Sequence, residues 1–237
     1  MNMVSRISGS PTLVRVMPFV FFLALTFLQD KLGETGRYWL YLLKTLAGAG
    51  LLWVVRPFIL EMRWKWSWEA FAVGVGVFVL WVGLDGFYPN LNQLTASFGL
   101  SKAKSAVESA SLVWNPHLQF GHHAPLAWFF IGVRILGSSL VVPPLEEVFF
   151  RSFLYRYLAN PDFQSVSLGV FRWTPFLLGS LFFGLEHNEW LAGILCGFAY
   201  QGLVCLKGRL GDAMAAHAIT NFLLGLWVVW RGAWNFW

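Results

Sequence analysis

The sequence predicts an all-α fold, a polytopic transmembrane bundle of about six to eight helices. Three observations lead there. Hydrophobic residues make up 57% of the 237 positions and charged residues only 12%, where about 25% charged is usual in soluble domains. The mean hydropathy is +0.58. Several apolar runs reach or approach the ~20 residues that cross a bilayer as helix, and Lys and Arg gather beside them as orientation signals do. The length fits a single integral membrane domain over residues 1–237. The net charge of +5 belongs to those flanks, so the bilayer is the expected partner and nucleic acid is not.

Each element follows in order. Residues 1–12 are polar and expected to be loose. Arg6 and Arg15 precede an apolar run as in a secretory signal. No small-x-small cleavage pattern follows, and Gln29-Asp30-Lys31 closes the run, so a retained first span is expected over about 13–28. A second span covers about 38–55, with Lys44 inside it. The segment 56–69 mixes Arg56, Arg63 and Lys65 with Trp64, Trp66 and Trp68, a basic and aromatic interfacial stretch. The third span, about 70–84, carries Gly74, Gly76 and Gly83, which let a neighbour approach closely. Residues 85–124 form the one long polar stretch. Within it 100–113 reads as a short amphipathic surface helix. His117, His122 and His123 read as solvated loop residues, since no carboxylate or cysteine accompanies them.

A fourth span is expected over about 125–144. The helix bearing Glu146 and Glu147 then runs to about 158, either as its extension or as a separate partial span, and Asn160-Pro161-Asp162 stops it. Another span starts near 175 and carries Phe183 and His187. The next, 190–206, has Gly193 and Gly197 as a close-packing pair. Asp212 reads as an N-cap for a last span over 213–230 that contains His217 and Asn221. Cys196 and Cys205 lie nine residues apart in one apolar run. That is about 13.5 Å of helix, too far to bridge each other. The larger cationic groups fall on alternate sides of this count. The cationic side is expected to be cytoplasmic, with the N-terminus there and Glu146 towards the cytoplasmic half.

The chemistry concentrates where charge is costly. An ionisable side chain at bilayer depth costs roughly 2.5–3.5 kcal/mol, and Glu146, Glu147 and Arg151 cluster within apolar sequence. Glu147 and Arg151, four apart, share a helix face and pair. Glu146 points about 100° away and lacks a local partner. His187 comes from a second helix, and His217 and Asn221, again four apart, from a third. Polar groups in lipid must find one another, which gathers them into one interior cavity. Two kinds of site suit them. One activates water: a carboxylate in an apolar pocket serves as general base, an imidazole shares the water, and His and Asn N–H groups face an oxyanion. The other is a zinc site on Glu146, His187 and His217, although no His-Glu-x-x-His motif is present.

The ordered set Glu146-Glu147-x-x-x-Arg151, Phe183-x-x-x-His187 and His217-x-x-x-Asn221 resembles the three motifs of the CAAX-protease and bacteriocin-processing family. These are glutamate-type intramembrane endopeptidases that include the type II CAAX prenyl proteases. The resemblance covers about 125–230 as a catalytic core; the first three spans match nothing in it. Length and aromatic content are similar to those of a bacterial subgroup associated with exosortase protein-sorting systems, which implies a bacterial plasma membrane. The resemblance implies that Glu146 activates water with His187, that Glu147 and Arg151 hold each other and shape the site, and that His217 and Asn221 form the oxyanion hole. It implies no metal or other cofactor, and a membrane-anchored protein or lipidated peptide as substrate. Membrane Glu, His and Arg also make proton relays, so a proton-coupled transporter stands as an alternative, as does a non-catalytic scaffold or immunity protein of the same fold. Against the transporter, no internal repeat is visible.

Overall fold

The computed structural model describes residues 9–29, 31–100 and 113–237. It is helical throughout the described elements: α1 Pro11–Gln29, α2 Gly33–Val55, α3 Trp68–Gly83, the short α4 Leu91–Ser97 and α5 Pro116–Phe120, then α6 Pro125–Ala159, α7 Trp173–Leu185, α8 Trp190–Lys207 and α9 Gly211–Arg231. Among the described residues, α1, α2 (extended to Phe58), α6, α8 and α9 are long and apolar enough to cross a bilayer, while α3 and α7 are shorter apolar helices. The chain is an integral membrane protein. The surface helix expected at 100–113 falls, apart from its two ends, outside the described residues, as does Arg6.

The helix bearing the paired glutamates is the extension of span four, not a separate one. α6 is continuous over 35 residues, about 52 Å at 1.5 Å per residue. It is not regular: π turns at Gly137–Val141 and Val148–Leu154 flank the α-turn Val142–Glu147. Wide turns of this kind recur at functional sites. The helix stops at Ala159, before Asn160-Pro161. At the centre, α9 packs against α3, α6 and α8, and α7 lies along α8.

Small residues set these crossings. A Cβ on Gly193 would meet Gly184 Cα at 2.9 Å, and one on Gly197 would meet Ser180 at 2.9 Å, so the expected pair is what brings α8 onto α7. Of the three glycines in α3, only Gly74 is a contact point, against Ala216 O and Ile219 of α9; Gly76 and Gly83 face open space. The Gly74 carbonyl there accepts a hydrogen bond from Thr220 Oγ1 (2.8 Å). Asp212 is not an N-cap. Leu210 occupies that position without a capping bond. Asp212 lies in the first turn, fully buried, where it accepts from Ser67 Oγ (2.6 Å) and Arg209 Nε (2.5 Å).

Arg15, which the sequence places ahead of the first apolar run, and Arg156, near the end of α6, are both buried. Glu61 joins them, accepting from Arg15 Nη2 (2.7 Å), Arg15 Nε (2.9 Å) and the Ser152 hydroxyl, with Arg156 Nη1 at 3.6 Å. The pairing spans 46 residues from Arg15 and could not be seen locally. Burial alone would push the Glu61 carboxyl up. The Ser152 hydroxyl, its own backbone and Arg15 together outweigh that and hold it below the ordinary carboxylate range. A carboxylate depressed in the folded state contributes stability above its unfolded value, which is lost as pH falls through the folded one. Acid unfolding below about pH 4 is therefore expected to flatten in Glu61→Gln. Glu61→Ala, which strands two buried arginines, is expected to cost about 3–5 kcal/mol, read as the unfolding midpoint in detergent at neutral pH.

Candidate active site

Local sequence chemistry builds the site from α6. Within the first π turn, Val142 N–H bonds Gly137 O. The next donor along would come from Pro143, which has no N–H. Ser138 O is left open in the helix wall and accepts instead from Asn221 Nδ2 on α9 (2.8 Å). The proline thus frees the carbonyl that holds Asn221.

One turn further, the adjacent glutamates diverge. Glu147 is fully buried. Its Oε2 lies 3.2 Å from Arg151 Nε and its Oε1 3.0 Å from His217 Nδ1. The Glu147–Arg151 pair is as expected; the Glu147–His217 bond, between α6 and α9, was not foreseen. Arg151 also places its guanidinium 4.2 Å from the Phe183 ring centroid, a cation–π contact. Glu146 is 8% exposed, and its Oε2 sits 3.9 Å from His217 Nε2, beyond hydrogen-bond length. That oxygen is buried without a hydrogen-bond partner among the described residues.

The imidazoles are oriented by their Nδ1 atoms. His187 Nδ1 is 2.8 Å from Phe183 O. A carbonyl only accepts, so Nδ1 carries the proton, and Nε2 of the neutral ring is an acceptor. His217 Nδ1 likewise faces a carboxylate oxygen. The His217 ring stacks on Tyr200 (5.1 Å between centroids), whose hydroxyl donates to Thr220 Oγ1 (2.8 Å). Phe183 stands between the two imidazoles, 4.9 Å from His187 and 6.0 Å from His217.

A cavity of about 590 Å³ is lined by Glu146, His187, His217 and Asn221, together with Glu186. Of the six residues singled out from sequence, these four are brought to one surface, while Glu147 and Arg151 stand behind it. Sequence reasoning passed over Glu186, next to His187 in the same segment; its carboxylate in an apolar run was the available signal. It also passed over Ser138, which has no ionisable group to draw notice. Among the described residues no group of three His, Cys, Asp or Glu side chains is placed to hold a metal ion. His117 and His122 stack on each other (4.5 Å) near Trp128 and Trp234, apart from this cavity.

Residues 126–223 match a family model described as Rce1-like, type II CAAX prenyl endopeptidase Rce1-like. This segment is Rce1-like. The match spans about two fifths of the chain and contains all six residues expected from the sequence, on α6, on α9 and in the turn that follows α7. No curated protein and no solved structure matches the chain. The Rce1-like family is a protease family, so the resemblance to CAAX-processing enzymes drawn from the three motifs holds; the match names the family without a subgroup. α1 to α5 lie outside the Rce1-like segment, yet α1, α2 and α3 supply Phe22, Lys44 and Trp81 to the cavity wall.

Proposed function

We propose that this chain is an intramembrane endopeptidase that hydrolyses a peptide bond in a membrane-anchored protein or lipidated peptide, with Glu146 as the general base. The observation that carries the reading is the Glu146 carboxylate, facing His217 Nε2 across 3.9 Å inside a cavity also lined by His187 and Asn221. A gap of that length accommodates a bridging oxygen. Glu146 takes a proton from water as the water oxygen attacks the carbonyl carbon, and His187 Nε2 orients that water by accepting a hydrogen bond from its other O–H. The oxyanion then receives the second N–H of the Asn221 amide and the Nε2–H of His217. For Nε2 to donate while Nδ1 bonds Glu147, the ring carries both protons. The Glu147 carboxylate is the negative charge set against both that ring and the Arg151 guanidinium.

The cavity wall includes Asn188, Glu189 and Asn235–Trp237, on the face away from the exposed Arg56, Arg63, Lys65, Arg172 and Arg209. With the cationic side cytoplasmic in a bacterial plasma membrane, substrate enters from the extracytoplasmic side. Among the described residues, the lining takes nothing from the segments 56–67 and 207–212 of the cationic face.

Comparing protein termini in membranes from cells expressing wild type or Glu146→Gln tests the proposal. Termini produced only by wild type are expected; identical sets would contradict it. Pro143→Ala supplies the N–H that competes for Ser138 O and releases Asn221. One hydrogen bond of about 1 kcal/mol gives an expected fall in kcat of roughly fivefold with KM unchanged.

A further inference from the structure

Peptide hydrolysis moves two protons: one leaves the attacking water and one must reach the departing amine. The structure brings a second carboxylate to the cavity that holds Glu146. Glu186, at the end of α7, lines the same wall, and its Oε2, like that of Glu146, is buried without a hydrogen-bond partner among the described residues. Both carboxyl groups therefore face one cavity of about 590 Å³, each with an oxygen free to hold or release a proton there. Two acids that share one cavity at membrane depth resist being ionised together. A carboxylate beside a carboxylic acid is the arrangement that divides base from acid in hydrolytic pairs.

We infer that Glu186 is the general acid of the reaction, donating its proton to the leaving nitrogen. This rests on the endopeptidase reading above. As the C–O bond forms, Glu146 takes one proton from water. As the C–N bond breaks, the nitrogen keeps the bond's electron pair and takes the proton of Glu186. The products are an amine and a carboxylic acid. Glu146 ends protonated and Glu186 ionised, and passage of the proton from Glu146 to Glu186 through the cavity resets the site. Neither an oxidant nor a metal enters the balance.

The test uses a peptide identified by the terminus comparison and the same sequence ending at the scissile carbonyl as a nitrophenyl ester, whose leaving group departs without a proton. The full-length protein in proteoliposomes is assayed on both. Glu186→Gln is expected to lower kcat on the peptide by at least about 100-fold while hydrolysing the ester within about threefold of wild type. Glu186→Asp is expected to recover part of the peptide activity. Equal losses on both substrates would assign Glu186 a merely structural role, and unchanged peptide activity would also overturn the inference. Glu146→Gln is expected to fail on both, so activity retained there would instead overturn the assignment of the base. An unfolding midpoint for each variant within a few degrees of wild type keeps the comparison between folded proteins.

Discussion

Glu146→Gln is expected to lower kcat for peptide cleavage by about 10²–10⁴-fold, the range for loss of a positioned general base, with KM changed less than twofold. The reason for the split is positional. Glu146 lines the cavity but makes no hydrogen bond with its Oε2, so a glutamine of the same shape removes the base without breaking a contact that holds the fold. Its effect falls on a proton taken in the transition state and not on ground-state binding. The unfolding midpoint is expected to stay within a few degrees of wild type, because replacing an unpartnered buried carboxylate by a neutral amide removes a desolvated charge. Steady-state kinetics on a peptide substrate, with thermal unfolding alongside, checks both parts.

Glu147→Ala is expected to fail differently, losing stability and activity together. Glu147 lies between Arg151 and His217, touching both, and is fully buried. Removing it strands the Arg151 guanidinium in the apolar interior and cuts the bond joining α6 to α9. Breaking a buried pair in this way costs about 3–5 kcal/mol, read as a lower unfolding midpoint and reduced yield of folded protein. The double variant Glu147→Gln with Arg151→Met removes both charges and is expected to recover most of the stability. Turnover is expected to stay at least tenfold down, because a neutral amide no longer balances the doubly protonated His217 ring. A double variant as active as wild type would contradict the role given to Glu147.

The helix bundle and the site were legible in the sequence to different depths. Ionisable groups in apolar helices must be gathered inward, so Glu146, His187, His217 and Asn221 could be assigned to one cavity before any coordinates, and Gly193 and Gly197 to a close crossing. What escaped depended on contacts between distant segments or on hydrogen bonds that a proline removes. Arg15 resembles a flanking charge until Glu61 is folded against it. Asp212 has the residue type of a cap, yet the helix begins one residue earlier and its carboxylate is taken by Ser67 and Arg209. The π turns of α6 arise around Pro143-Pro144 and could not be read from a four-residue spacing. Ser138 owes its part to a main-chain carbonyl, on which side-chain chemistry is silent. The direction of the cavity was hidden too. Glu146 is nearer the cationic end of α6, while the cavity above it extends to Asn188 and the 235–237 segment at the other face.

Purified full-length protein in proteoliposomes, incubated with its peptide substrate and followed by mass spectrometry, tests the water-activating carboxylate most directly when wild type and Glu146→Gln are compared at equal folded concentration. Cleavage at one peptide bond by wild type, with less than about one hundredth of that rate in the variant, is the predicted result. Equal cleavage by both proteins would contradict it.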